Sequence, residues 1–346
     1  MTRPLQFVFL FSLLCLHFLP STTFAQQQLV NIPLPAPIRD VKEEFSGMAW
    51  SGNRLYLLPQ FGAHKETALN GNFWIYSLNA DSIARVIDKK DSTLTAYQAV
   101  TVKNLNQLPD SVKNYYQGFE AITIVDKQVF LAIETADHYA YCFILKGILD
   151  AEQHTITIDP NRYISLKRYP AVANAGFEAL AYLPKEKKLL ALYEFNALAK
   201  GNTGYLIDTA FQQKPIAVTM PFLPFRITDT QATAEGSIYG INYYWEGDYK
   251  SYLNTDHFRI TDRLKHNQER SLKNFVPKDK SKLKTNSYAR IVTKKRLSAK
   301  PWQQVTTFAC KGLNWEGLAL YRNGALLITD ANRSSKQQCT LAFLPF

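Results

Sequence analysis

The chain lacks several features that would place it at once in a common class. Past residue 25 no apolar run is long enough to cross a membrane. Helical periodicity is nearly absent, and only Asp110 to Tyr116 predicts a helical turn. The sequence contains no nucleophile elbow, no phosphate-binding glycine loop and no metalloprotease helix motif. The best-known hydrolase signatures are therefore excluded, and the repeats become the main source of information.

Cysteine is also scarce, with 4 among 346 residues. Cys142, Cys310 and Cys339 follow the N-terminal leader described below. In an oxidising compartment we expect one disulfide, Cys310–Cys339, because both residues flank the last repeat. Three buried free thiols are the alternative.

The first 25 residues predict a secretory signal peptide. Arg3 supplies a positive charge, the run from Phe7 to Leu19 is apolar, and Thr23-Phe24-Ala25 resembles a cleavage site. We therefore expect cleavage after Ala25 and a secreted or periplasmic mature protein without a transmembrane anchor.

A strand–turn–strand unit recurs along the rest of the chain. Its clearest copies read Gly118-Phe-Glu-Ala-Ile-Thr, Gly176-Phe-Glu-Ala-Leu-Ala and Asn314-Trp-Glu-Gly-Leu-Ala, and a weaker copy starts at Phe45. In each, a polar residue opens the first strand and another closes the second. The spacings are Ser46–Gln60 14, Glu120–Glu134 14, Glu178–Glu194 16, Asp229–Asn242 13 and Glu316–Asp330 14.

The fourth copy is open to misalignment. Ala234-Glu235-Gly236 resembles the motif, but an apolar strand follows it directly and leaves no room for a hairpin. We therefore take Asp229 as the acid of the first strand, Glu235-Gly236 as the turn, and Asn242 as the end of the second strand.

Repeats of this kind predict an all-β fold, a single five-bladed β-propeller over residues 26–346, with six blades as the alternative. The last repeat supplies only three strands. We expect the segment Gln28 to Leu34 to provide its fourth strand, so that pairing of the two ends of the chain closes the ring.

The first and second strands of a blade are antiparallel, so the repeated polar residues converge at one mouth of the propeller. Seven of the ten are acids, and oxygen ligands favour Ca²⁺. Acids that only accept backbone hydrogen bonds are the alternative. The predicted metal ligands are Glu120, Glu178, Asp229, Glu316, Glu134, Glu194, Asn242 and Asp330. The candidate catalytic residues are His138, Arg226 and Arg333, and His64 lies near the same mouth.

A basic insertion at about 247–287 interrupts the repeats. Residues 250–300 hold 15 Lys and Arg against 4 Asp and Glu, a local charge of +11 that equals the charge of the whole chain. The insertion is either a solvated loop or an arm that attracts an anionic small molecule or polyanion. Nucleic acid is disfavoured because no fold that binds it is recognised, and a monomer is expected.

The copies around Glu120, Glu178 and Glu316 resemble those of the esterase-like phytases and of the SdiA-regulated propeller family. The most specific stretches are Asn174-Ala-Gly-Phe-Glu-Ala-Leu-Ala-Tyr and Leu189-Leu-Ala-Leu-Tyr-Glu. The resemblance implies a propeller and, for the phytase-like branch, hydrolysis of phosphate esters. Two hypotheses follow: a calcium-assisted phosphoesterase, or a non-catalytic propeller that binds an anionic ligand or glycan beside a structural cation.

Overall fold

The computed structural model describes residues 28–40, 42–62, 68–71, 73–168, 175–195, 202–248, 287–308, 310, 312–332 and 338–346. The predicted signal peptide, His64, Arg333 and nearly all of the basic insertion lie outside these described residues. Among them, no helix has the length and apolar character needed to cross a membrane.

The described strands form a five-bladed β-propeller, as the repeats predicted. Blade 5 begins with β1 (Val30–Ile32) and is completed at the end of the chain. Blade 1 contains β2 (Phe45–Ser51), β3 (Arg54–Pro59), β4 (Phe73–Asn79) and β5 (Gln98–Lys103). Blade 2 contains β6 (Tyr116–Val125), β7 (Gln128–Thr135), β8 (Tyr141–Asp150) and β9 (Thr155–Lys167). Blade 3 contains β10 (Ala179–Leu183), β11 (Lys188–Leu192), β12 (Asn202–Asp208) and β13 (Ile216–Met220). Blade 4 contains β14 (Arg226–Ala232), β15 (Ser237–Tyr244), β16 (Tyr288–Lys295) and β17 (Gln303–Phe308). The remaining strands of blade 5 are β18 (Asn314–Tyr321), β19 (Gly324–Asp330) and β20 (Leu341–Pro345).

The two ends of the chain close the ring. Strand β1 pairs antiparallel with β20, with Val30 opposite Phe343 and Ile32 opposite Leu341. The innermost strands β2, β6, β10, β14 and β18 contact one another in a circle. The predicted closure is therefore confirmed, and it covers an edge of blade 5 that would otherwise be open.

Blades 1 and 2 share one sheet of eight strands, which the sequence did not predict. Their outer strands β5 and β9 run parallel, with Thr101 opposite Thr155 and Lys103 opposite Thr157. The first residues of the 13-residue strand β9 lie between two neighbours, since Thr155 also lies opposite Asp150 of β8.

Helix α1 (Ala80–Ile87) was also missed. The side chain of Asn79 caps it by accepting hydrogen bonds from the backbone N–H groups of Asp81 and Ser82. Ile83 and Val86 bury one face of the helix against blade 1. Two apolar residues three positions apart give too weak a pattern to predict so short a helix. The predicted turn at Asp110 is present as α2 (Asp110–Lys113).

The hydrophobic core lies between neighbouring blades, and it contains the cysteines. Cys142, Cys310 and Cys339 are free and buried, so the expected Cys310–Cys339 disulfide is wrong and the alternative of free thiols is right. Cys310 packs against Trp315 between blades 4 and 5, whereas the Cys339 thiol donates to the carbonyl of Asp40 at 3.3 Å. Burial raises the pKa of each of these two thiols to about 12, which keeps them unreactive.

Candidate functional site

A β-bulge opens the innermost strand of four blades and turns one side chain towards the propeller axis. In blade 2 the bulge falls between Phe119 and Ala121, at Glu120. In blade 3, Glu178 precedes the first paired residue, Ala179, at the corresponding place. We call this place the bulge position. Its five residues are Ser46, Glu120, Glu178, Thr228 and Glu316.

The strand register corrects the alignment of blade 4 by one residue on each strand. Ile227 pairs with Asn242 and Asp229 with Ile241, so the bulged residue is Thr228 rather than Asp229. Arg226 pairs with Tyr243, as Gly118 pairs with Glu134 in blade 2. The residue of β15 that corresponds to Glu134 is therefore Tyr243 and not Asn242. The turn at Glu235-Gly236 is where we expected it, but this hairpin is longer than the corresponding hairpin of blade 2.

The two displaced residues make structural contacts: Asp229 links blade 4 to blade 5, and Asn242 stabilises blade 4 internally. The Asp229 carboxylate accepts from the N–H groups of Thr230 and Leu318, each at 2.7 Å. Burial raises the pKa of this carboxyl, and those two N–H groups oppose the rise. The Asn242 amide donates to the carbonyls of Pro224 and Arg226, and its oxygen accepts from Arg290. Neither side chain lines the cavity at the mouth.

Two further positions complete the mouth. The return position, on the second strand, holds Gln60, Glu134, Glu194, Tyr243 and Asp330. The approach position, two residues before the bulge, holds Glu44, Gly118, Gly176, Arg226 and Asn314.

The approach residue of one blade lies beside the return residue of the blade before it. A Cβ atom at Gly118 would lie 2.5 Å from Cγ of Gln60, and one at Gly176 would lie 3.4 Å from Cβ and Cγ of Glu134. Arg226 forms an ion pair with Glu194 at 2.5 Å. The side chain at the approach position therefore determines which group contacts the return residue of the preceding blade.

A cavity of about 600 Å³ opens over these positions. Among the described residues that line it, seven are acidic and one, Arg226, is basic. The acidic residues are Glu44, Glu120, Glu134, Glu178, Glu246, Glu316 and Asp330. Phe61, Tyr243 and Trp245 add aromatic surface, and Trp245 is 52% exposed.

Blade 3 holds two carboxyl groups in different states. Glu194 is fully buried, pairs with the Arg226 guanidinium, and accepts from the N–H of Gly176 at 3.2 Å. Glu178 is hydrogen-bonded to Glu194. Burial and the charge of Glu194 raise the pKa of Glu178 well above its usual range. Glu178 therefore keeps its proton and donates it to Glu194, whose ionised form Arg226 stabilises.

Three more glutamates of the mouth, Glu120, Glu134 and Glu316, have raised pKa values for the same two reasons, burial and the charge of neighbouring carboxyl groups. The pKa of Glu120 lies well above its usual range, first through burial and then through Glu134, although Gln60 donates to it at 2.7 Å. Burial and Glu194 raise the pKa of Glu134 to about 8. Burial and Asp330 raise the pKa of Glu316. The site is therefore a reservoir of carboxyl protons at neutral pH.

Calcium is not favoured by this arrangement. In the part of the chain that is described, no group of three or more His, Cys, Asp or Glu residues is placed to hold a metal ion. Oxygen atoms Glu134 Oε1 and Glu178 Oε2 are buried without a hydrogen-bond partner there, but they are two single oxygens on different blades rather than a cluster of ligands. The described side chains therefore do not bring together the several oxygen ligands that a divalent cation needs.

The predicted catalytic residues divide into three cases. Arg226 lines the cavity, but its guanidinium is bound to Glu194 and lies over the Phe195 ring at 4.5 Å. His138 is exposed, packs edge-on against Tyr115, and does not line the cavity. Arg333 and His64 lie outside the described residues.

Sequence reasoning missed Glu44, Tyr243 and Trp245 as lining residues. Glu44 has a positive φ of 41°, which no motif announces. The repeated acids mark the bulge and return positions in the sequence. Tyr243 occupies a return position without an acid or amide, so the repeat pattern does not identify it. Comparing the residue two positions before the bulge in every repeat would have revealed the approach position.

No known family model matches the chain, and no curated protein matches it. Solved structures resemble it in fold. A GH43 beta-xylosidase/alpha-arabinofuranosidase from a compost microbial metagenome is 10% identical with a TM-score of 0.49, covering 92% of this chain and 94% of its own. The GH43_1 enzyme from Xanthomonas citri is 11% identical with a TM-score of 0.48, covering 92% and 90%. A glucose dehydrogenase is 8% identical with a TM-score of 0.45, covering 94% and 99%. Such distant similarity decides nothing about activity, and the phytase-like and SdiA-regulated families find no support among these comparisons.

Proposed function

We propose that the protein is a glycan hydrolase that uses the carboxyl groups of the mouth for acid–base catalysis. The observation that carries this proposal is the chain Glu178–Glu194–Arg226, which keeps one carboxyl protonated next to an ionised one. Enzymes that cleave glycosidic bonds need two carboxyl groups in different protonation states.

In this proposal Glu178 is the acid. Its proton goes to the glycosidic oxygen as the bond between that oxygen and the anomeric carbon breaks. The second carboxyl group is Asp330, which lines the same cavity and is partly exposed, so that water reaches it. It removes a proton from the water that attacks the anomeric carbon; solvent then takes that proton from Asp330 and returns one to Glu178.

The charge of the cavity opposes the phosphoesterase hypothesis. A phosphate ester would enter among seven acidic lining residues, and the guanidinium that could receive it is engaged by Glu194. An anion that loses its water in this site without a free cationic partner loses affinity. A glycan without negative charge meets no such barrier, and Trp245 offers an exposed ring on which a sugar can lie.

The test compares hydrolysis of a panel of aryl glycosides and oligosaccharides with hydrolysis of a generic phosphomonoester. We expect glycoside turnover that persists in the presence of a chelator. Glu178→Gln should lower kcat by about a hundredfold to ten-thousandfold, since general acid catalysis contributes on that scale. Glu235→Gln, an exposed turn residue outside the cavity, is the matched control and should keep full activity.

Either of two results would overturn the proposal. Turnover of the phosphomonoester that disappears with the chelator would restore the calcium-assisted hypothesis. If the protein binds oligosaccharides but hydrolyses no compound in the panel, it is a glycan-binding propeller.

A further inference from the structure

We propose that the cavity recognises a glycan that carries a free amino group, and that Glu134 is the residue that binds the ammonium. This inference rests on the proposed function, for which it names the class of substrate.

The first reason is a difference between two neighbouring blades. Glu194 and Glu134 both occupy the return position, but they meet different approach residues. Blade 4 gives Glu194 the guanidinium of Arg226. Blade 3 gives Glu134 only Gly176, where even a Cβ atom would lie at an ordinary 3.4 Å from Glu134. Beside Glu194 the approach residue supplies a cation. Beside Glu134 the approach residue is Gly176, which has no side chain to put there.

The second reason is the state of the Glu134 side chain. It is 5% exposed, lines the cavity, and its Oε1 atom has no hydrogen-bond partner among the described residues. The nearby Arg168 guanidinium donates to the carbonyls of Thr135 and Ala136. A buried acceptor left in this way costs stability, and a ligand that donates to it recovers that cost.

The third reason is the chemistry of the group that fits. An ammonium needs one carboxylate and neighbouring acceptors, whereas a calcium ion needs several carboxylates drawn together, which the described residues do not offer. Uronic acids and sulfated sugars would meet one basic lining residue among those described, Arg226, whose guanidinium is engaged by Glu194, whereas Glu134 can ionise to receive a cation. At the rim Trp245 can receive the sugar ring or the cation on its exposed face.

Binding should be coupled to protons. Below a pH of about 8 Glu134 is protonated, because burial and Glu194 raise its pKa, Asp137 adds to the rise, and Arg168 and Arg226 oppose it. An ammonium favours the ionised carboxyl, so its arrival releases a proton to solvent at neutral pH.

Isothermal titration calorimetry with a glucosamine oligosaccharide, its fully N-acetylated counterpart and a uronic acid oligosaccharide of equal length tests the inference. We expect the amino form to bind at least about tenfold more tightly than the acetylated form, with a heat that varies with the ionisation enthalpy of the buffer. Glu134→Gln should remove this preference and the proton release together.

A second pair of variants tests the same point without removing the acid. Gly176→Arg should place a guanidinium beside Glu134 as Arg226 does beside Glu194, abolish the preference for the amine, and raise the melting temperature above pH 8. Gly176→Gln adds similar bulk without charge. It should be less stable than Gly176→Arg in that pH range.

The inference is overturned by equal affinities for the amino and acetylated forms, or by a preference that survives Glu134→Gln. It is also overturned if Ca²⁺ alone raises the melting temperature of the wild type but not of Glu134→Gln, because the free oxygen would then belong to a metal. Preference without hydrolysis leaves the inference standing and removes the proposed function. Hydrolysis of uncharged glycosides without a preference for the amino form removes the inference and leaves the proposed function standing.

Discussion

Glu194 shows how one residue of the mouth is held in its charged form in a buried place. Its carboxylate is fully buried, and it receives the Arg226 guanidinium and the N–H of Gly176. A buried carboxylate is tolerated only when its partners replace the water that it has lost. The proton on Glu178 depends on this ion pair, because the charge on Glu194 helps to hold it there.

Arg226→Gln should therefore damage the site and the fold together. We expect a loss of about 3–5 kcal/mol in the free energy of unfolding, since the charge on Glu194 would remain buried without its partner. Chemical denaturation measures this loss. The matched control is Arg322→Gln, which breaks the exposed ion pair with Asp88 at 2.7 Å and should change stability little. A fall of similar size in both variants would contradict this account.

At the scale of the elements, the blade 4 hairpin explains why Asp229 and Asn242 were misassigned. Both blades have the bulge, but the turn at Glu235-Gly236 is longer than the turn of blade 2, and an acid follows the bulged Thr228 directly. The Thr228 hydroxyl donates to the carbonyl of Trp315, as Ser46 donates to that of Phe119. This shared contact between blades identifies Thr228 as the counterpart of Ser46.

Asp229 is expected to act on stability rather than on catalysis. Asp229→Asn leaves one amide oxygen for the two buried N–H groups of Thr230 and Leu318, and we expect a cost of about 1–3 kcal/mol in the free energy of unfolding. Asp330→Asn should instead abolish activity and leave the free energy of unfolding nearly unchanged. Parallel measurements of kcat and of denaturant midpoints decide between these outcomes. If Asp229→Asn folds normally but loses activity, Asp229 belongs to the site after all.

The sequence predicted the strands of blades 2, 3 and 5 and the closure of the ring because each repeat carries an acid, a turn and an apolar strand at nearly constant spacing. It also placed Glu120, Glu178, Glu316 and their return partners at one mouth. The one-residue shift in blade 4 escaped it, because a hydroxyl replaces the acid at Thr228 and the next residue, Asp229, is an acid that fits the motif. The ion pair of Arg226 with Glu194 crosses from one blade to the next, and spacing within a repeat says nothing about such contacts.

For the whole molecule, burial of many acids makes stability depend on pH. Burial raises the pKa of Glu43 to about 7 and that of Glu134 to about 8, from an ordinary value of 4.5. Between the ordinary pKa of 4.5 and the raised values, the folded chain binds more protons than the unfolded chain. The free energy of unfolding therefore falls as the pH rises. The contribution of these two residues should end above pH 8, where both are ionised in the folded and in the unfolded chain.

Melting temperatures across the window from about pH 4.5 to 8 check this trend, which runs opposite to that of proteins with paired surface carboxylates. The double variant Glu43→Gln with Glu134→Gln should show a flatter profile. Glu235→Gln, whose side chain is exposed, should keep the wild-type slope. A melting temperature that climbs through this window would contradict the assignment of the buried protons.

The pairing of β1 with β20 also sets an order in time. A chain synthesised from its N-terminus makes Val30–Ile32 first and Leu341–Pro345 last. Strand β1 must wait through nearly the whole of synthesis before its partner exists, and contacts so distant in sequence form slowly. Until then blade 5 has an open edge that can pair with another chain. Pairing of β1 with β20 is therefore the step that covers this edge and closes the ring.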